Sequence, residues 1–125
     1  MKSLLISIGI LVAVLGVSIF GALLTDRRLE HFYDGIEATI PEGATDAAKI
    51  YESAIEIENE YESLRKFIIL FIHDDEVREI EEHLSDIKSA AEADEVGEAM
   101  MAKSRLLLHI KQLRRLSKFS PEAIF

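Results

Sequence analysis

Two hydrophobic patterns divide this chain, one uniform and one periodic. From Ser3 to Leu24, apolar and small residues occupy every phase and no charge interrupts them. From Asp46 onward the apolar residues return at helical spacing. Ala47, Ile50, Ala54, Ile57, Tyr61, Leu64, Ile68 and Phe71 alternate steps of three and four, the stripe of an amphipathic helix. Val77, Ile80, Leu84, Ile87 and Ala91 continue that spacing in a new phase. Val96, Ala99, Met100, Leu106, Leu107, Ile110 and Leu113 form a third apolar face, within a segment from about Asp94 to Ser117. No stretch alternates with the period of a strand.

The breaks between these patterns carry turn chemistry. Pro41, Gly43 and Thr45 mark a loop, and Thr45 or Asp46 can cap the helix that follows. Asp74, Asp75 and Glu76 place acids where the next helix begins, at the positive end of its dipole. Ala93 and Asp94 mark a short turn, with Gly97 close behind, and Ser120-Pro121-Glu122 is expected to close the last helix, where the Pro could begin a final single turn. The expected fold is all-α: an N-terminal transmembrane helix, reaching past the membrane to about Gly35 or Ile40, followed by an antiparallel three-helix bundle. The chain divides into a transmembrane signal anchor (1–25), a membrane-proximal helix extension and loop (26–45) and the helical bundle (46–125).

Length supports the first segment. The 22 residues from Ser3 to Leu24, at about 1.5 Å each, span roughly 33 Å against a hydrocarbon core of about 30 Å. A cleaved signal has a shorter apolar region followed by a small-residue site. Here Gly16-Val17-Ser18, the one passable cleavage signature, lies inside the stretch, which favours a retained anchor. Gly9, Ala13 and Gly16 share a face that would permit close helix packing, with a partner or a second copy. Lys2 precedes the span and Arg27 and Arg28 follow it, so the charge rule is nearly balanced. A short tail with one Lys before an apolar run resembles an export signal, so the amino terminus is expected inside and the C-terminal domain extracytoplasmic.

Charge narrows the function. The 125-residue chain carries 14 Lys and Arg against 23 Asp and Glu, a net of −9. One charge, Lys2, lies in the first 24 residues, so the other 101 hold 13 bases and all 23 acids, a net of −10. A net acidic body argues against nucleic acid as partner. The absence of Cys excludes disulfides, thiolate zinc sites and iron–sulfur clusters. The acidity is not uniform: Lys103, Arg105, Lys111, Arg114, Arg115 and Lys118 follow one another with no acid between them. The expectation is that this basic helix lies against the acidic second and third helices. The competing reading is a basic face on anionic lipid. The run from Phe67 to Ile72 is apolar on all sides. It is read as the centre of the bundle, or else as a segment at membrane level, since a second helix longer than the extramembrane part of the first would reach back to the bilayer.

Chemistry is sparse. None of the four His follows a Glu at the spacing of a di-iron bundle, and no H-E-x-x-H, G-x-S-x-G or phosphate-binding Gly turn occurs. Glu79 and His83 share a helix face and could offer two ligands to a divalent metal, or form a solvated ion pair. His73, Asp74, Asp75 and Glu76 are a candidate binding cluster, with helix capping as the plainer role. No cofactor and no catalytic residue is expected.

The combination of an amino-terminal span, the string Phe71-Ile72-His73-Asp74-Asp75-Glu76-Val77, then Leu108-His109-Ile110, Leu116-Ser117 and a terminal Ile124-Phe125 resembles a known family. That family is the bacterial one called domain of unknown function 4363, small single-span proteins mostly from Firmicutes. The likeness runs over essentially the whole chain. The family's His-Asp-Glu-Leu-like element corresponds to His73, Asp75 and Glu76, with an extra acid and with Val77 in place of Leu. Ala123 stands where the family usually has Asn. The family has no established activity. The resemblance implies location and shape, and a multi-span membrane protein as a partner. The expected function is a non-enzymatic partner-binding or stabilising module at the cell membrane. The alternative is a ligand- or divalent-cation-sensing acidic domain on a membrane anchor.

Overall fold

The computed structural model describes the backbone of residues 1–124 and the side chains through Arg115. It contains helices α1 (Lys2–Thr39), α2 (Ala47–Ile68), α3 (Asp74–Glu92) and α4 (Val96–Ile124), and no strand among the described residues. The expected N-terminal apolar helix and the packed bundle after it are both present.

The two halves of α1 meet different surroundings. Up to Phe20 every residue is exposed, and the Ser7 and Ser18 hydroxyls donate back to the carbonyls of Ser3 and Val14 at 2.8 and 2.9 Å. From Gly21 a buried stripe appears: Gly21, Thr25, Leu29, Phe32, Ile36 and, just past the helix, Ile40. These residues recur at steps of three and four, so they share one face. That face packs against α2 and α4. The bundle therefore has four helices, and the segment 26–45 supplies its fourth side. Each helix packs on its sequence neighbours, α1 closes the ring against α4, and α2 and α4 approach across the diagonal.

The connections follow from local chemistry. α1 stops before Pro41 because the residue ahead of a proline is forced out of the helical region, and Ile40 sits at φ −119°, ψ 87°. Asp46 caps α2, accepting from the Ala48 N–H at 3.0 Å. α2 ends at Ile68, so the last member of its predicted stripe, Phe71, is not on the helix. His73 caps α3 by accepting from the Asp75 N–H at 3.3 Å, with Asp74, Asp75 and Glu76 in the first turn. After α3, Asp94 takes the left-handed φ of 60°, and the Glu95 N–H reaches back to the Ala90 carbonyl at 2.8 Å. Asp tolerates that conformation better than most side chains, so Asp94 and not Gly97 makes the turn. At the other end α4 continues to Ile124, past the stop expected at Ser120-Pro121-Glu122. The apolar terminal pair and Lys118 lie outside the described side chains.

The core is the predicted set of stripes plus the α1 face. Leu29, Ile36, Ile57, Ile80, Ile87, Leu106 and Ile110 are all under 2% exposed, and burial of each such side chain contributes about 1.5 to 3 kcal/mol. Polar contacts set the register between α2 and α3. The Tyr61 hydroxyl lies 3.3 Å from both the Val77 carbonyl and Glu81 Oε1, which share its one hydrogen, and Arg65 Nε meets Glu81 Oε1 at 2.8 Å. Desolvation, with the neighbouring Glu81 charge adding to it, pushes the Tyr61 phenol far above its ordinary range.

The basic α4 packs against α3 as expected, but among the described residues none of its bases pairs with an acid of the second helix. Arg114 Nε bonds Asp26 Oδ1 of α1 at 2.9 Å and its Nη2 lies 3.4 Å from Glu30, which raises the guanidinium pKa further. Lys111 lies over the Tyr33 ring of α1 at 5.6 Å, and Lys103 is 3% exposed. The reason is topological: α2 stands diagonally across the bundle from α4, while α1 is its neighbour.

Candidate functional site

α3 and α4 bring His109 against three side chains of one α3 face, Glu76, Glu79 and His83. His109 is buried at 5% side-chain exposure, and its two ring nitrogens face two carboxylates. Nε2 lies 3.1 Å from the Glu76 carbonyl and 3.3 Å from Glu76 Oε2, while Nδ1 lies 3.5 Å from Glu79 Oε2. Glu79 also turns Oε1 toward His83 Nε2 at 3.6 Å, so its carboxylate stands between the two imidazoles. The two rings are 5.9 Å apart, and His83 Nδ1 is buried with no hydrogen-bond partner.

Glu79 and His83, expected on one helix face, do lie 3.6 Å apart, but the groups whose donor atoms converge with Glu79 are Glu76 and His109 and not His83. Glu76 was read with His73, Asp74 and Asp75 as one cluster, and the structure separates them. His73 and Asp75 remain outside at 77% exposure, occupied in capping, whereas Glu76 turns toward α4. The signal for Glu76 was present: Glu76, Glu79 and His83 follow steps of three and four, one face of α3. The signal for His109 was its place beside Ile110 on the core face of α4, where a buried ring needs a partner.

Donor oxygens of Glu76 and Glu79 and one nitrogen of His109 lie within 4.8 Å of one another. Two carboxylates and an imidazole suit a borderline cation such as Zn²⁺. Without metal the same groups hold His109 by its two nitrogens. No nucleophile lies among them.

The second feature is the end of the bundle next to the apolar half of α1. Contacts between α1 and α2 run in strict antiparallel order: the Ser53 hydroxyl to the Thr39 carbonyl at 3.3 Å, Tyr61 against Phe32 with centroids 6.0 Å apart, and Arg28 over the Phe67 ring at 4.5 Å. Continuing that register sets Phe71 on Gly21, three residues inside the apolar stretch that ends at Leu24. A Cβ at Gly21 would lie 2.2 Å from the Phe71 ring, so only glycine admits this contact. The run Phe67–Ile72 is consequently not the centre of the bundle. Ile68 is fully buried, but Ile69, Leu70 and Phe71 are 45%, 72% and 42% exposed.

The predicted span, Ser3 to Leu24, lies within α1, the one helix among the described residues that is long and apolar enough to cross a membrane. The candidate packing face of Gly9, Ala13 and Gly16 is fully exposed, and a Cβ at Gly9 or Gly16 would meet nothing within 4 Å. Compared with family models, with curated proteins and with solved structures, the chain matches none of them.

Proposed function

We propose that this chain is a membrane-anchored, non-enzymatic helical module that binds or stabilises a partner at the bacterial cell membrane. The carrying observation is the upper half of α1. Thirteen large apolar side chains from Leu4 to Leu23 are 47% to 69% exposed. Even at half of about 1.5 kcal/mol each, transferring them to lipid is worth on the order of 10 kcal/mol, comparable to the whole net stability of a small domain. The resemblance to domain of unknown function 4363 points the same way and suggests a multi-span partner. The open face of Gly9, Ala13 and Gly16 is where such a helix, or a second copy, would approach. Because a short tail with one Lys before an apolar run resembles an export signal, the bundle is assigned to the extracytoplasmic side.

In-cell cross-linking from the intact membrane, followed by purification in mild detergent, tests this reading. One recurrent membrane protein, or the chain's own dimer, is expected, and Gly9→Leu with Gly16→Leu should abolish it. Recovery of the monomer alone would contradict it. Labelling of an introduced Ser85→Cys by a membrane-impermeant maleimide in whole cells checks the side.

A second reading, cation sensing, is favoured by the convergence of Glu76, Glu79 and His109. It predicts that Zn²⁺ raises the thermal midpoint of the full chain and that Glu79→Gln with His109→Gln removes the rise. An unchanged midpoint across Zn²⁺ concentrations would eliminate it.

A further inference from the structure

The α2–α3 turn and the groove beside it meet the requirements of a lipid-contacting surface. Exposed Ile69, Leu70 and Phe71 form the turn. Phe71 rests on Gly21, and three further residues at about 1.5 Å rise separate Gly21 from the last apolar residue, Leu24. The turn therefore lies about one helical turn inside the apolar boundary of α1. Just beyond that boundary, a groove of about 560 Å³ opens between α1 and α2, lined by Leu24, Arg27, Arg28, His31, Ser63 and Glu60 among others. Arg28 is held over Phe67 and makes no ion pair among the described residues, nor does Arg27.

The vertical order of these groups matches one leaflet of a bilayer: apolar turn and Leu24 at the acyl boundary, then two guanidiniums, an imidazole and a hydroxyl at phosphate depth. Lys66, in the last turn of α2, adds positive charge at the same end, while Arg65 is engaged by Glu81 of α3. The opposing charges are placed elsewhere. Glu60 closes the groove at its end away from the membrane, beside Gly35. Asp26 is engaged by Arg114, and Asp74 and Asp75 belong to the first turn of α3. Attraction for an anionic headgroup is thus confined to the α1–α2 side. Arg suits phosphate because its planar fork donates two parallel hydrogen bonds, and an anionic surface adds attraction for each nearby base.

We infer that this end of the bundle is a lipid-docking face, with the Ile69–Leu70–Phe71 turn set into the leaflet and the Arg27–Arg28–His31 groove holding the headgroup of an anionic phospholipid. The inference rests on α1 crossing the bilayer. It goes further, because the bundle becomes fixed upright on the membrane by a second contact instead of swinging on one helix.

The chain has no Trp, so Leu70→Trp gives the full-length protein a single fluorescent reporter at an exposed site. In nanodiscs its emission should be blue-shifted, quenched by lipids brominated near the glycerol end of the acyl chain, and insensitive to aqueous iodide. Quenching by iodide and not by brominated lipid overturns the inference. Val12→Trp, in a separate sample, distinguishes the two failures: quenching there by deep bromines leaves the span intact, and its absence removes the span as well. For the groove, the thermal midpoint of the wild-type chain should be higher in phosphatidylglycerol than in phosphatidylcholine discs, and Arg27→Gln with Arg28→Gln should cancel the difference. Inorganic phosphate added to phosphatidylcholine discs should not reproduce it. Equal midpoints in the two lipids, or an equal rise with free phosphate, overturn the headgroup assignment.

Discussion

The two halves of α1 are one unbroken helix, yet they obey different rules. Above Gly21 its residues are apolar in every direction and exposed, whereas below it one apolar face is buried. The lower half is stabilised by complementary side chains at defined positions: Leu29, Phe32 and Ile36 against the core, Asp26 and Glu30 against Arg114. The upper half requires only an apolar surrounding, with serine hydroxyls satisfied on its own backbone. Conformational order in one helix can thus arise from specific packing at one end and from solvent at the other.

The largest break in the comparison should come from truncating matching Leu residues. Leu29→Ala removes a fully buried side chain and should cost about 2 to 5 kcal/mol, read as a lowered denaturation midpoint of the bundle in detergent. Leu11→Ala, 59% exposed, should leave that midpoint unchanged. Next come the glycines. Gly21→Val drives a side chain into the Phe71 ring, 2.2 Å from the added Cβ, and should destabilise by about 1 to 3 kcal/mol through overpacking and displacement of the turn. Gly16→Val has open space and should be neutral to the same assay.

Smaller effects follow from the polar contacts of the lower half. Arg114→Ala strips the partner from Asp26 in a pair with side-chain exposures of 24% and 18%, at about 1 to 2 kcal/mol. The smallest is Tyr61→Phe, at about 1 kcal/mol for its hydrogen bonds. Its pH signature has a definite sign. The folded phenol titrates above its unfolded value of about 10, so its contribution is complete below pH 10 and is lost as the pH rises from there toward the folded value. Alkaline titration of the midpoint should fall less steeply in Tyr61→Phe than in the wild type.

Periodicity made the helices legible, because a stripe such as Val77, Ile80, Leu84, Ile87 and Ala91 needs no partner to be recognised. Their neighbours were less so. The fourth side of the bundle was obscured because Gly21, Thr25, Leu29, Phe32 and Ile36 begin inside the apolar stretch, where a uniform pattern hides a periodic one. The α2–α3 turn misled for the opposite reason. Phe71 continues the helical spacing of α2, but the His73 cap starts α3 too soon for the helix to include it, and the ring goes to Gly21 instead. Within the candidate site, Glu79 and His83 were readable from one helix. His109 was not, since its meeting with Glu76 depends on the register between α3 and α4, which no local pattern encodes.

The change of surroundings along α1 is tested most directly by cysteine accessibility. The chain has no native Cys, so single introductions at Val12, Leu15, Ile19, Asp34, Glu37 and Ala38 can be compared in intact membranes with a water-soluble maleimide. Protection is expected at the first three positions until detergent is added, and free labelling at the last three. Labelling at Val12 or Leu15 in the intact membrane would contradict that expectation.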